Sequence, residues 1–361
     1  MGLHLTVIQT RPQSDEYPWS FNPSGPFSLV NIKGAVHAEA DAPLLNLDRQ
    51  LNFLIHRLQP AAIVTVGWSD CAYHRLLLAA FRHRIPAVMV SDSRQCDEQR
   101  SIHKEWIKRQ LLLGYSSSLV AGSQSREYLE ILGFPPSAIF QPWDVVDNNF
   151  FSRTSFSNKS RQHHFLCVSR FVTKKNHSGL LNAFAKYQLQ GGRWGLHLVG
   201  GGPLENEIRE QIANLPDPSR VQCLPFCQLD ELRELYARAS AFVLASTTDQ
   251  WGLVVNEAMA AGLPCLVSSS CGCSVDLINH GVTGWTFDPS DPVALADLMR
   301  IVAHQTDDQR YSLISAARHR LSNFTPTSFA TGLQKSLVWA TSNPRFSYRA
   351  AFSANLLSHW T

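Results

Sequence analysis

Ala61-Ala62-Ile63-Val64-Thr65-Val66-Gly67 carries almost no polar side chain and ends in glycine. A segment like this has no face to offer water, so as a strand it must be covered on both sides. That is the situation of a parallel sheet with helices packed above and below it. The same kind of run recurs at Leu3–Ile8, Phe27–Ile32, Ala87–Ser91 and Ser118–Ala121. Helical patterning fills the intervals: Leu45, Leu47, Leu51, Phe53, Leu54 and Leu58 recur at about three- to four-residue spacing, and Tyr73–His83 and Ser101–Leu113 also read as helices. Buried strands each followed by a helix are the signature of an α/β fold.

The pattern is interrupted at Ser152–Ser160, a polar stretch that reads as a linker, and then starts again. Strands are expected at Phe165–Ser169, Leu196–Val199, Val221–Leu224, Ala241–Ala245 and Pro264–Ser268. Helices are expected at His177–Tyr187, Leu204–Ala213, Leu229–Ala237, Leu253–Ala260 and Pro292–Ile301. Both halves therefore read as doubly wound α/β domains, residues 1–152 and 163–325, facing each other across a cleft. In such sheets ligands bind outside the carboxyl ends of the strands. The remainder, 326–361, holds Phe329, Leu333, Leu337, Trp339, Phe346, Tyr348, Phe352, Leu357 and Trp360. So apolar a tail must dock, and a helical tail crossing back to the first domain is expected.

Composition narrows the function. With 361 residues, two domains are the natural prior, and 44% hydrophobic against 17% charged residues supports real cores. A net charge of +3 gives no basic surface of the kind nucleic acid requires. No apolar run reaches the ~18 residues of a membrane span. Met1–Leu5 lacks the features of a signal peptide, which points to the cytoplasm. The eight cysteines include no Cys-x2-Cys pair, and Cys271-Gly272-Cys273 is too tight for a zinc knuckle. Reduced, mostly buried thiols and no metal site are the expectation.

Three segments of the second half carry chemistry. In Ser246–Pro264 a strand runs into a polar loop, the loop turns at Gly252, and a small-residue helix runs to Gly262 and Pro264. The first-turn N–H groups at Gly252, Leu253 and Val254, with the helix dipole, suit an anion such as a phosphate. Glu257 falls on a buried face of that helix. It is either a core carboxylate bonded to nearby backbone or an acceptor for ligand hydroxyls. In Val168–Asn176, Arg170 and Lys175 follow a strand end. They form either a solvated basic turn or a pair of phosphate partners. Leu198–Glu205 holds Gly200-Gly201-Gly202-Pro203, a tight turn that is neither a Walker loop nor Gly-x-Gly-x-x-Gly, and no Gly-x-Gly-x-x-Gly follows the early strands, which disfavours a nicotinamide cofactor.

Taken together, these segments resemble the retaining glycosyltransferases of the family 4 type, which have the GT-B architecture. The resemblance is strong over Phe165–Pro289 and weak before it. It rests on Asp249–Pro264, which is similar to the family's Glu-x7-Glu segment, on Gly281–Pro289, on Arg170 and Lys175, and on the Gly200–Gly202 turn. The resemblance implies no tightly bound cofactor and a nucleotide-diphosphate sugar, UDP- or GDP-linked, as co-substrate. It implies that Glu257 holds the ribose, Asp249 contacts the donor sugar, and Arg170 and Lys175 neutralise the departing diphosphate. Gly201 would line the turn, and the base would lie near Pro225-Phe226-Cys227, where Phe226 is either a stacking ring or a core residue.

The chain departs from the family in two places. Asp249 stands where the first Glu is usual, one methylene shorter. The start also differs: Leu3–Ile8 resembles the second strand of such a domain, and Tyr17-Pro18-Trp19-Ser20 follows instead of a glycine-rich loop. A first strand and loop missing from the chain would explain this. In the first half, Asp92 is the candidate to face the reacting centre, an ordinary capping Asp being the alternative. His74 is a candidate for the acceptor side, and Lys108 and Arg109 read as solvated. The expected activity is hexosyl transfer to a glycan or lipid-linked acceptor in cell-surface polysaccharide synthesis, with peripheral contact at the inner membrane face if the acceptor is lipid-linked. A catalytically inactive GT-B homologue acting as a binding protein is the alternative, and a GT-B epimerase or phosphorylase a more distant one.

Overall fold

The computed structural model describes residues 4–9, 25, 27–32, 42–68, 70–152 and 162–358. Most of the expected linker and the Tyr17–Ser20 segment lie outside these residues. Strands β1 (Leu5–Gln9) and β2 (Phe27–Asn31) pair in parallel with each other and, among the described residues, with no other strand. Then come α1 (Ala42–Leu58), β3 (Ile63–Val66), α2 (Cys71–His83), β4 (Ala87–Ser91), α3 (Ile102–Leu112), β5 (Ser117–Val120), α4 (Ser123–Ile131), β6 (Ile139–Phe140) and α5 (Asn148–Ser152). Strands β3 to β6 form a four-stranded parallel sheet in sequential order.

The second half has six strands: β7 (His164–Val168), β8 (Gly195–Val199), β9 (Val221–Leu224), β10 (Ala241–Leu244), β11 (Cys265–Ser268) and β12 (Trp285–Phe287). Their spatial order is β9-β8-β7-β10-β11-β12, all parallel. This is the doubly wound arrangement in which the order reverses between the first and fourth strands, here β7 and β10. Strands β10 and β11 are buried along their whole length, as their apolar composition requires. The helices are α6 (His177–Leu189), α7 (Glu205–Ala213), α8 (Leu229–Arg238), α9 (Leu253–Ala260), α10 (Cys273–Leu277), α11 (Pro292–Ala303) and α12 (Asp307–Leu321).

Two last helices, α13 (Pro326–Ser342) and α14 (Tyr348–Leu357), pack on the first half, α13 over β5 and β6 and α14 over α2 and α3. Small residues make this docking close. A Cβ added at Gly332 would sit 3.0 Å from the Gln141 carbonyl and 3.1 Å from Leu119. Ser117 Oγ donates to the Ser336 carbonyl at 2.8 Å, and the Arg345 N–H donates to Ser116 Oγ at 3.0 Å. Ser118 Oγ donates to the Met89 carbonyl at 2.9 Å, so the three consecutive buried serines Ser116–Ser118 are partnered rather than stranded, as burial of polar groups demands. Trp143 meets Phe329 edge-on at 5.5 Å.

The structure corrects several readings of the sequence. Helices α4, α10 and α12 and strand β12 were not anticipated; α4 is polar and buries only Ser125, Tyr128 and Leu129, while β12 lies in what reads as a turn. Asn148–Ser152, at the edge of the expected linker, is helical, and Phe151 is buried against Tyr236. Lys108 is not solvated: its side chain is 13% exposed and its ammonium donates to Tyr128 Oη at 2.9 Å. His74 is buried in α2, and burial lowers its pKa, so it is a neutral core side chain and not an acceptor contact. The thiols are all free, but only Cys167, Cys265, Cys271 and Cys273 are buried.

Candidate functional site

The strand order reverses between β7 and β10, so the loops leaving these two strands diverge and open a crevice. The loop after β7 makes a short turn at Thr173–Lys175 and stops at Asn176, whose φ of 54° is left-handed, a conformation Asn tolerates. Asn176 then caps α6 by accepting the Gly179 N–H at 3.1 Å. The loop after β10 is tied to it: the Thr247 N–H donates to the Lys174 carbonyl at 2.8 Å. Across this junction Lys175 Nζ forms an ion pair with Asp249 Oδ2. Asp249 is 8% exposed, and its backbone carbonyl accepts the Gly272 N–H at 2.9 Å. Two residues to which the sequence reading gives separate roles are therefore direct partners.

Arg170 is half-buried on the same loop as Lys175. Its neighbours lie against the glycine turn after β8: the Phe171 N–H donates to the Gly201 carbonyl at 2.8 Å. A Cβ at Gly200 would collide with the Ser169 carbonyl, and one at Gly202 would come within 2.6 Å of the Phe171 carbonyl; both glycines also have positive φ. A side chain at Gly201 would meet nothing within 4 Å, so the middle of the turn is open. The glycines thus serve the close approach of two backbones that places Arg170.

Helix α9 begins at Gly252, whose φ is 100°. It has no capping side chain, which leaves the first-turn N–H groups of Leu253 and Val254 without intrahelical acceptors. Leu253 is 39% exposed at this end. The other end closes with the Gly262 N–H on the Met259 carbonyl and the Leu263 N–H on the Ala258 carbonyl, a Schellman motif with Gly262 left-handed. Trp251 Nε1 donates to Asn256 Oδ1 at 2.9 Å inside the core, fixing the first turns. Glu257 is half-buried and accepts the Tyr236 hydroxyl at 2.8 Å. Burial pushes its carboxyl up to about 7, against the opposing pull of that hydrogen bond. Phe226 and Cys227, after β9, are half-buried; Cys227 Sγ donates to the Pro225 carbonyl at 3.3 Å, and burial raises its thiol.

From the first half, Asp92 follows β4 and is half-buried; burial raises its pKa, with Asp97 and Asp249 adding to the effect. Asp144 is a residue the sequence reading missed. Its Oδ2 is sealed from solvent with no hydrogen-bond partner, and burial, then Asp92, then Asp249, push it up to about 8. Three carboxyl groups from both halves thus repel one another around one spot. Asp144 sits near the carboxyl end of β5 because the Trp143 N–H donates to the Val120 carbonyl at 2.8 Å. The only sequence signal was a two-residue strand, β6, too short to show where a loop begins.

The halves touch beside this spot. Asp276 of α10 reaches the start of α4, accepting the Ser123 N–H at 2.9 Å and the Ser123 hydroxyl at 2.6 Å. Gly122, the residue before, has no room for a side chain, since a Cβ there would strike Asp276 and Trp251. Arg94, after β4, bonds to Thr248 and Ser270 of the second half.

Two parallel-sheet halves meeting at their strand ends, with cations and a helix N-terminus on the second, have the GT-B fold. Residues 149–320 match the model of the family described as Glycosyl transferases group 1. Among curated relatives it is 34% identical over 130 residues to the N-acetyl-alpha-D-glucosaminyl L-malate synthase of Bacillus anthracis, covering 36% of this chain and 33% of that protein. It is 24% identical over 309 residues to a putative colanic acid biosynthesis glycosyltransferase of Salmonella typhimurium, covering 84% of this chain and 73% of that protein. The match to the first relative thus spans about a third of that protein's length. Among solved structures, Anabaena HepE in complex with UDP and glucose superimposes with a TM-score of 0.70 at 19% identity, over 87% of this chain and 86% of that one. Relatives are named as glycosyltransferases of polysaccharide synthesis, for colanic acid and for amylovoran.

Proposed function

We propose that this protein is a retaining glycosyltransferase that moves a hexose from a UDP- or GDP-sugar to a glycan or lipid-linked acceptor in cell-surface polysaccharide synthesis. The second half holds the donor and the first half the acceptor. The observation that carries this reading is the Lys175–Asp249 pair, set where the strand order reverses and followed directly by the N-terminus of α9. Transfer breaks the bond between the sugar's anomeric carbon and the diphosphate and forms one to an acceptor oxygen, whose proton leaves with the diphosphate. Negative charge grows on the diphosphate as the bond breaks. Arg170, Lys175 and the N–H groups at Gly252, Leu253 and Val254 stabilise it without reorganising. Glu257 accepts the ribose hydroxyls, Gly201 lets the diphosphate approach the backbone, and Phe226 and Cys227 border the base. Asp249 orients the donor sugar, and Asp92 faces the reacting centre from the acceptor side.

A crystal structure of HepE contains UDP-glucose, which supports a nucleotide sugar as donor here. No helix among the described residues is long and apolar enough to cross a membrane; a lipid-linked acceptor would be met from the cytoplasm at the inner face.

The test is thermal stabilisation by a panel of UDP-, GDP-, ADP- and dTDP-sugars. A ligand at 100 times its dissociation constant adds about 2.7 kcal/mol. A selective shift that Glu257→Ala abolishes supports the reading and names the base. Absence of a shift with every donor, in a protein that melts cooperatively, would favour an inactive homologue that binds a partner instead.

A further inference from the structure

Arg94 belongs to the first half and is 1% exposed. A buried guanidinium must be fully partnered, and the fork of Arg can serve several acceptors at once where Lys offers a point charge. Arg94 divides its donors between the halves. On its own side Nε donates to Asp97 Oδ1 at 2.8 Å and Nη1 to Gln124 Oε1 at 2.9 Å. On the other side Nη2 donates to the Ser270 carbonyl at 3.0 Å and reaches Thr248 Oγ1 at 3.5 Å.

Those two distant partners flank Asp249. Thr248 precedes it in the chain, and Ser270 precedes Cys271, which is bridged in parallel to Asp249. Gly272, the next residue, donates its N–H to the Asp249 carbonyl. It also makes way for the arginine: a Cβ there would lie 3.1 Å from Arg94 Cδ and would strike the Gln250 carbonyl. The chain around Asp249 is thus gripped from both sides by one side chain of the opposite half.

We propose that Arg94 is a positioning residue for transfer: it fixes the Thr248–Gln250 loop from across the cleft and so sets where the Asp249 carboxylate stands when the halves are together. The role rests on the reading that Asp249 orients the donor sugar. Arg94 touches neither donor nor acceptor; it acts through the loop. Nucleotide binding, which depends on Glu257, Arg170 and the α9 N-terminus, is therefore largely independent of it.

The experiment is a double-mutant cycle between Arg94→Lys and Asp249→Asn, using the nucleotide sugar selected by the panel and measuring kcat, donor KM and affinity for the matching nucleoside diphosphate. Small misplacements at a reacting centre can cost about a hundredfold in rate, so Arg94→Lys should lower kcat by at least about thirtyfold, with nucleoside diphosphate affinity unchanged within about twofold. In the Asp249→Asn background the same change should cost less than about threefold, because residues acting through one another are not additive. Full kcat in Arg94→Lys, or an undiminished loss beside Asp249→Asn, overturns the role. Asp249→Asn turning over at the parent rate overturns instead the donor-site reading on which it rests. Should Arg94→Lys fail to melt cooperatively, Thr248→Val carries the test. It removes only the hydroxyl acceptor and should lower kcat alone by about threefold, and a rate equal to the parent's overturns the proposal.

Discussion

In the second half, the six strands, the helices between them and the loops bearing Arg170, Lys175, Asp249 and Glu257 come from one continuous stretch of chain. In the first half, the sheet β3–β6 is covered by α13, and its helices α2 and α3 by α14, both from the far end of the chain, and α4 is completed by Asp276 of the other half. The second half is therefore shaped by its own local sequence, whereas the first half depends on contacts between segments remote in sequence. Changes in the second-half loops should act first on the reaction. Changes where the halves meet at Gly122 and Asp276, away from the Asp249 loop, should act first on stability.

The sharpest separation is expected from Lys175→Ala. Losing one preorganised charge at a site of growing negative charge costs about a hundred- to a thousandfold in rate, and kcat should fall by that much, while the melting temperature falls only as far as an unpaired Asp249 requires. A large drop in melting temperature with little loss of rate would invert the comparison.

Next comes Glu257, whose carboxyl is raised to about 7. Only the ionised form accepts hydrogen bonds at both oxygens, so nucleotide affinity should fall as pH drops from 8 to 6, steepening to about tenfold per unit below the pKa. Calorimetric titrations across that range should show the step, and Glu257→Gln should flatten it.

At the junction, Gly122→Ala would place a methyl group against Asp276 and Trp251 and should destabilise by about 1–3 kcal/mol, seen in denaturant melts. The smallest effect belongs to Asp276→Ala, which removes the partner of the Ser123 N–H at a cost of about 1 kcal/mol. If either change left stability untouched and instead abolished nucleotide binding, the division between the halves would have to be redrawn.

The same division governs what could be read from the sequence. Every second-half strand expected from an apolar run is present, and Arg170, Lys175, Asp249 and Glu257 stand on the elements expected for them, because strand, loop and helix follow one another locally. The partnership of Lys175 with Asp249 was not legible, since residues 74 apart carry no shared pattern. Ser123 with Asp276, 153 apart, and Arg94 with Ser270, 176 apart, were equally invisible. Asp144 escaped because its strand is two residues long. Helix α4 escaped because most of its side chains are polar and its N-terminal partner lies on the other half.

That displaced partner has a kinetic consequence. Among the described residues the Ser123 amide is hydrogen-bonded only to a side chain of the opposite half, so each separation of the halves exposes it to solvent while the rest of α4 remains wound. Its hydrogen–deuterium exchange would then run at the frequency of separation rather than of helix unfolding. A ligand bridging both halves should slow exchange at this one position, giving an internal clock for the cleft that needs no attached probe.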